Sequence, residues 1–382
     1  MRLAFYAPLK PPDHAVPSGD RRISRLLIQA LERAGHEVEL VSRFAARDRA
    51  GERQSEIAAQ AAAERERLLA LFAARPPAER PAAWFTYHLY YKAPDLLGPA
   101  LAGALAIPYL IAEASIAGKR AGGPHDTGHR ATLSAVRAAA RIFVLNPADR
   151  ECLEPFIESG RLIDLPAFLD LAALGLPSEG RAVLRHALAG RHGLDGERPW
   201  LLTVAMMREG DKLASYRLLG RALQGLLDLP WQLLVAGDGP ARPAVEAALA
   251  PLGSERVRYL GQLDETDIAT CLSAADLCLW PAINEAYGMA LLEAQAAGLP
   301  VVAGAVGGVP SILVDGVTGL LATPGEPGVF AAAARALIEA PAQRASMAVA
   351  ARENVRRHHD IAGAAAILDR ALREACAETA GA

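Results

Sequence analysis

The chain has 382 residues, of which 52% are hydrophobic and 22% charged, and its formal net charge is −3. This length favours two domains, and without a basic excess the charge gives no reason to expect a nucleic-acid ligand. The four cysteines lack the C-x-x-C spacing of zinc sites, and they predict free thiols in a reducing compartment.

The first half of the sequence alternates short apolar runs with helical patterns. The predicted strands are 3–6, 38–41, 83–87, 109–112 and 142–145. Apolar residues at helical spacing predict a helix over 22–34, and an Ala/Arg/Glu-rich stretch predicts a long helix over 46–75. Strands that alternate with helices imply a parallel sheet with helices on both faces.

The regular alternation of predicted strands and helices is interrupted between about residues 166 and 198, which indicates a connection between two domains. The strands predicted after it are 200–205, 231–236, 257–260, 277–280 and 300–303. Residues 361–379 predict a further helix. The sequence therefore predicts two doubly wound Rossmann-like α/β domains, at 1–170 and 171–355, followed by a helical segment at 356–382.

Two uncharged stretches, 96–112 and 294–314, are candidates for membrane spans. Glycines and prolines interrupt both of them, whereas a spanning helix needs about 20 mostly apolar residues. The apolar run at the start ends at Pro8 and is too short for a signal peptide. The prediction is a cytoplasmic protein, either soluble or peripheral to the inner face of the membrane.

The segment 285–293 combines several features of a ligand site. Glu285 follows a predicted strand, and ligands of open α/β sheets bind beyond the carboxyl ends of the strands. Gly288 permits a close approach to the backbone, and the free amides at the start of the next helix favour an anion. Glu293, about two turns beyond Glu285, can accept two hydroxyl hydrogen bonds. Two carboxylates on either side of a phosphate-binding site are suited to bind the hydroxyl groups of a sugar and of a ribose.

This segment resembles the E-x(7)-E motif of retaining glycosyltransferases of family 4, which have the GT-B fold of two Rossmann-like domains facing a cleft. The stretches 305–310 and 314–321 also look like that family. The resemblance extends over nearly the whole chain and is sharpest at about 200–325. It implies that Glu285 contacts the donor sugar and Glu293 the ribose of a nucleoside-diphosphate sugar. It also implies that the last helix returns to the first domain, which would hold the acceptor.

Further donor contacts follow from the same resemblance. The family has an Arg and a Lys after the strand at 200–205, which correspond to Arg208 and Lys212 and would hold the diphosphate. Fixed cations there stabilise a departing diphosphate more than the ground state. The family's glycine after that Lys is Leu213 here. The other predicted donor-binding residues are Gly19, Gly261, Leu263, Tyr287, Gly288, Met289 and Ala290.

The sequence indicates the acceptor-binding residues less clearly than the donor-binding ones. Many family members have a His after a strand of the first domain, and Glu113 or Ser115 takes that position here. His88, at another predicted strand end, is a candidate acceptor contact, although a lone His is more often structural. Lys119 and Arg120, in a glycine-rich loop, are candidates for binding an anionic acceptor, with a solvated loop as the alternative.

The predicted function is transfer of a sugar to an unidentified acceptor, which is a glycan, a lipid or a small molecule. No metal site and no cofactor are predicted, because no D-x-D motif stands in a convincing place and the nucleotide sugar is a co-substrate. Two alternatives stay open: a phosphorylase or synthase with a phosphate acceptor, and a non-catalytic sugar-nucleotide-binding or assembly protein. An oxidoreductase is disfavoured, because no G-x-G-x-x-G follows the first strand.

Overall fold

The structure is a computed structural model that describes residues 1–16, 18–118 and 121–381. The chain forms two compact units. Unit 1 comprises Met1–Pro166 and Ile361–Ala382, and unit 2 comprises Ala167–Asp360. The divisions therefore follow Pro166 and Asp360, where the sequence had placed them after residues 170 and 355.

Unit 1 contains a six-stranded parallel sheet whose four inner strands are nearly all buried, as strands covered on both faces are, whereas its two edge strands are more exposed. The strands are β1 (Arg2–Tyr6), β2 (Glu37–Leu40), β3 (Ala83–Leu89), β4 (Tyr109–Ala114), β5 (Arg141–Val144) and β6 (Leu162–Asp164). Their order is β2-β1-β3-β4-β5-β6. The helices between them are α1 (Gly19–Arg33), α2 (Gln54–Ala73), α3 (Gly98–Leu105), α4 (Asp126–Ala138) and α5 (Pro147–Leu153), with short 3₁₀ turns at Pro77–Glu79 and Ser159–Arg161.

Unit 2 repeats this architecture around a second core. Its strands are β7 (Trp200–Val204), β8 (Gln232–Ala236), β9 (Val257–Gly261), β10 (Leu277–Trp280), β11 (Val301–Gly304) and β12 (Gly319–Ala322), in the order β12-β11-β10-β7-β8-β9. Its helices are α6 (Arg181–His192), α7 (Asp211–Gln224), α8 (Arg242–Leu249), α9 (Glu265–Ala274), α10 (Met289–Ala296), α11 (Val309–Ile312), α12 (Pro327–Glu339) and α13 (Pro341–His358), with a 3₁₀ turn at Ala250–Leu252. Two parallel sheets with flanking helices confirm the predicted fold class.

The last helix, α14 (Ile361–Ala380), belongs to unit 1, where it packs on α1. Its buried residues recur at helical spacing: Ile361, Ala364, Ala365, Leu368, Ala371, Leu372 and Ala375. The guanidinium of Arg141 pairs with the carboxylate of Glu378 at 2.5 Å, and the His36 ring lies 3.0 Å from Asp369. Both ends of the sequence therefore build unit 1.

One predicted element is shorter than expected. The long helix predicted over 46–75 begins only at Gln54. The buried carboxylate of Asp48 accepts the backbone N–H groups of Gly51 and Arg53, at 2.9 and 2.8 Å. Gly51 also has a φ of 83°, outside the helical region. Aspartate side chains that hydrogen-bond to the nearby backbone compete with helix formation, so residues 46–53 form a loop.

None of the helices in the described part of the chain combines the length and the apolar character needed to cross a membrane. All four cysteines are free thiols.

Candidate functional site

The strand order of unit 2 reverses between β7 and β10, which are neighbours in the sheet. From β7 the chain continues to β8 and β9 on one side, and it then crosses to β10, β11 and β12 on the other. The loops that follow β7 and β10 therefore leave the same edge in opposite directions. A crevice at such a reversal is the usual ligand site of open α/β sheets.

Lys212 and Glu285 meet at this reversal. Lys212 is the second residue of α7, and its Nζ lies 2.5 Å from Oε2 of Glu285 in the loop after β10. The indole N–H of Trp280 donates to the same oxygen at 3.1 Å. The Lys212 side chain is 35% exposed and that of Glu285 is 18% exposed, so the pair is accessible to a ligand. Lys212 is also the only lysine in the sequence of unit 2.

Helix α7 also fixes the loop that carries Glu285. The backbone N–H of Ile283 donates to Oγ of Ser215, and the Asn284 amide donates to the Asp211 carboxylate, both at 3.0 Å. Within the loop, Ala282 and Asn284 have φ angles of 58° and 51°. Such left-handed conformations cost roughly 1–3 kcal/mol each and persist only where surrounding contacts enforce them.

Gly307 and Gly308 pack against the other side of the loop that carries Glu285. The backbone N–H of Gly308 donates to the carbonyl oxygen of Ala286 at 2.8 Å. A Cβ atom added at Gly307 would lie 2.1 Å from the carbonyl oxygen of Glu285, and one added at Gly308 would lie 2.4 Å from that of Ala286. The two backbones can approach this closely only because neither position carries a side chain.

The helix that follows Glu285 begins without a side-chain cap. Gly288, with a φ of 73°, precedes Met289 and Ala290, the first residues of α10. Their amides are thus the orphan donors of a helix N-terminus. Glu293, 5% exposed, lies one turn further along, beside Cys278 of β10. Burial, with a smaller contribution from the Glu293 charge, raises the pKa of the Cys278 thiol to about 12. Tyr287 is buried at the same turn.

The loops after β7, β8 and β9 pack tightly together at the same edge. A Cβ atom on Gly237 would lie 2.0 Å from the carbonyl oxygen of Ala205. Gly261 ends β9 with a φ of 73°, and its carbonyl accepts the N–H of Gly237 at 2.8 Å. Arg208 is exposed in the loop after β7, and Leu263 is half-buried after β9. The structure therefore brings the predicted donor residues of unit 2 to one edge of its sheet.

Unit 1 has a polar cluster at its own strand reversal, between β1 and β3. Nδ1 of His88, near the end of β3, lies 3.0 Å from Oδ1 of Asp20 and 3.6 Å from Oε1 of Glu113. His88 and Glu113 both have left-handed backbones, with φ angles of 57° and 64°. The structure thus places these two predicted acceptor-side residues together. Gly19 begins α1 directly before Asp20.

Charges in this cluster shift three pKa values. Burial opposes the charged form of His88, but the carboxylates of Glu113 and Asp20 outweigh it and raise its pKa to about 9. Burial likewise opposes ionisation of Asp20, yet its hydrogen bond to His88 holds its pKa below the usual value. Burial, followed by the charge of Glu113, raises the pKa of Asp149 to about 6.

The sequence did not single out Asp20, Asp149 or Trp280 as site residues. A signal for Trp280 exists in retrospect: it is the last residue of a strand whose carboxyl end carries the predicted Glu285. Asp20 and Asp149 lie in the first turns of helices that follow strands, where polar residues are common for reasons of capping alone. Lys119 and Arg120 lie outside the described residues. Within the described ranges, no three His, Cys, Asp or Glu side chains are arranged to hold a metal ion.

The Gly308→Ala substitution tests the close packing behind Glu285. The φ of Gly308 is −81°, which alanine adopts freely, so the only cost is the contact with the Ala286 carbonyl. We expect a loss of about 1–3 kcal/mol in the free energy of unfolding, as for overpacking elsewhere, measured by urea denaturation. Gly328→Ala, in open space on α12, is the matched control and should not destabilise the protein. Equal effects of the two substitutions would contradict the steric argument.

His88 should titrate near pH 9. Its folded pKa lies above the ordinary value of 6.5, so its ion pairs stabilise the fold fully below pH 6.5, and this contribution disappears as the pH rises through about 9. The measurement is the NMR titration of the histidine Cε1 protons, assigned with His88→Gln. Asp20→Asn should lower the midpoint, because it removes one of the two nearby carboxylates. A midpoint at or below 6.5 in the unaltered protein would be incompatible with the cluster as described.

Comparison with known proteins agrees with this geometry. Residues 198–340 match the family model Glycosyl transferases group 1. D-inositol 3-phosphate glycosyltransferase from Mycobacterium sp. strain KMS is 37% identical over 201 residues, which cover 49% of this chain and 44% of that protein. The chain thus spans less than half the length of that relative.

Two solved structures share the fold. Sucrose-phosphate synthase from Thermosynechococcus elongatus has a TM-score of 0.75 at 21% identity and is covered over 99% of both chains. Anabaena HepE in complex with UDP has a TM-score of 0.73 at 16% identity, covering 98% of this chain and 100% of HepE. The family resemblance inferred from Glu285–Glu293 is confirmed over residues 198–340, the region that matches the model of group 1 glycosyl transferases, and the chain has the GT-B fold.

Proposed function

We propose that the protein is a retaining glycosyltransferase that moves a sugar from a nucleoside-diphosphate donor to an acceptor hydroxyl. The observation that carries the proposal is the Lys212–Glu285 pair, which lies at the strand reversal of unit 2 and inside the region matched to group 1 glycosyl transferases. A cation and a carboxylate side by side suit the two halves of such a donor. The ammonium suits the diphosphate and the carboxylate suits sugar hydroxyls.

The chemical problem in such a transfer is the charge that develops on the leaving diphosphate. In the proposal, Lys212 and the exposed Arg208 supply fixed positive charge, and the uncapped amides at the start of α10 supply hydrogen-bond donors. Groups already in place where charge develops stabilise the transition state without further reorganisation. This arrangement would carry out the step without a metal ion.

Glu285 and Glu293 would divide the donor between them. Glu285, in the loop, would accept hydroxyls of the sugar, and the more buried Glu293 would accept those of the ribose. Lys212 and Trp280 both donate to Glu285, so a diphosphate that reaches Lys212 would release one of the hydrogen-bond partners of Glu285. Reaction on one face of the sugar, with the leaving phosphate assisting removal of the acceptor proton, would retain the anomeric configuration.

The cluster in unit 1 would orient the acceptor. The charged His88 ring is held by Asp20 through Nδ1, and the side chain is 20% exposed. Glu113 is nine-tenths buried next to it. These groups offer a hydrogen-bond donor and carboxylate acceptors to hydroxyls. The relative named for D-inositol 3-phosphate supports an acceptor rich in hydroxyl groups, and in the proposal the acceptor belongs to glycan, lipid or small-molecule biosynthesis.

Glu285→Gln should abolish sugar transfer while donor binding largely survives. The substitution keeps the size of the side chain and removes the charge that would meet the sugar, whereas Lys212 remains for the diphosphate. Binding is measured as the thermal shift with UDP-, GDP- and ADP-sugars, since a ligand at about 100 times its Kd stabilises the folded protein by about 2.7 kcal/mol. Glu326→Gln, an exposed glutamate of the same unit, is the control. Full activity in the Glu285 variant would rule out the assignment.

Lys212→Ala should reduce kcat by roughly 100-fold or more, the usual effect of losing one group that stabilises transition-state charge. The control is Arg217→Ala, which removes an exposed cation from the same helix. Steady-state rates are measured with the donor that gives the largest thermal shift. A decrease of less than about threefold would contradict a phosphate role, given the same reference magnitude.

A further inference from the structure

Trp280 contacts both charged groups of the unit 2 site through different parts of one ring. The indole N–H, at the ring edge, donates to Oε2 of Glu285 at 3.1 Å. The ring also lies within 5.2 Å of Nζ of Lys212, close enough for a cation–π interaction. The edge of an indole is positive and its face is negative, so each part of the ring meets a group of opposite charge.

The ring itself is held firmly. Trp280 is the last residue of β10 and is 4% exposed. It packs edge-on against Tyr216 of α7, with ring centroids 5.3 Å apart. The Tyr216 hydroxyl in turn donates to the carbonyl oxygen of Ala205 at 2.8 Å, at the end of β7. Trp280 is therefore fixed against the same two strands between which the order of the sheet reverses.

We propose that Trp280 is a positioning residue that sets the distance and orientation between Lys212 and Glu285. The inference rests on the proposed function and adds a specific residue to it. Lysine and loop carboxylate side chains are otherwise free to rotate, and an ion pair with 35% and 18% exposure is screened by water. A rigid ring that binds both groups keeps them in place for the donor, and catalysis depends steeply on such placement.

Two other tryptophans of unit 2 show what a purely structural indole looks like. The indole N–H of Trp231 donates to the carbonyl oxygen of Leu226 at 2.6 Å, and the Arg256 guanidinium lies 4.8 Å from its ring. Trp200 donates to a backbone carbonyl in the same way, with Arg185 over its ring. Both combine a hydrogen bond with a cation–π contact, but none of their partners belongs to the candidate site. Trp231 is therefore a matched control.

The test compares Trp280→Phe with Trp231→Phe in the full chain. Each substitution keeps an aromatic ring and removes one indole donor. We expect Trp280→Phe to lower kcat about tenfold with the donor KM changed by less than about threefold, because the lost contact orients groups that act on the leaving phosphate. Trp231→Phe should leave kcat within about twofold, as for changes away from the site. Thermal unfolding midpoints report whether both variants fold.

Tryptophan fluorescence gives a second measurement that stability alone does not affect. UDP, GDP and ADP are titrated separately into the unaltered protein and the two variants. A nucleotide that reaches Lys212 should change the emission, the change should persist in Trp231→Phe, and it should disappear in Trp280→Phe. If Trp280→Phe does not fold, the proposal stays falsifiable, because a nucleotide that binds the unaltered protein and Trp231→Phe without changing their emission still overturns it.

Any one of three results would overturn the positioning role. They are an unaltered kcat in Trp280→Phe, an equal loss of kcat in both variants, and a nucleotide that binds without changing the tryptophan emission. Failure of the proposed function looks different: the unaltered protein then transfers sugar from none of the donors, and the positioning role falls with it.

Discussion

The ion pair between Lys212 and Glu285 is the contact on which the proposed donor site depends. Removing two charges from water is costly unless each stays paired, and removing one partner leaves the other uncompensated. Here the pair is half-buried, and the indole of Trp280 also donates to Glu285. A side chain of α7 holds the loop that carries Glu285. The ion pair itself therefore carries no net charge, yet it offers an ammonium to an incoming anion.

Each unit stores backbone strain at its own site. Of the five non-glycine residues with a positive φ in the described structure, four lie in the polar cluster of unit 1 or in the loop that carries Glu285: His88, Glu113, Ala282 and Asn284. The fifth, Ala106, caps the end of α3. Left-handed backbones in side-chain-bearing residues cost energy and tend to occur where the surrounding structure enforces a functional geometry. In both units the local fold is thus less favourable than it could be, at the position where chemistry is proposed.

The sequence predicted the second unit better than the first for a physical reason. In unit 2, Glu285, Gly288 and Glu293 lie within one turn and helix, so their spacing alone determines how they are arranged. The cluster of unit 1 joins Asp20 at the start of α1 with His88 and Glu113 near the ends of β3 and β4, and their meeting depends on strand order, which a single sequence does not show. The loop at 46–53 was missed because the side chain of Asp48 outweighed helix propensity.

The return of α14 to unit 1 makes this unit discontinuous in sequence, with all of unit 2 inserted between Pro166 and Ile361. During synthesis, the surface of α1 that α14 covers stays without its partner until about 200 more residues have been made, which at typical elongation rates takes roughly ten seconds or more. Unit 2 is continuous and contains its whole core by residue 360. The nascent chain is thus expected to complete its second unit before its first, and an interruption of synthesis after Asp360 would leave an apolar face exposed to aggregation.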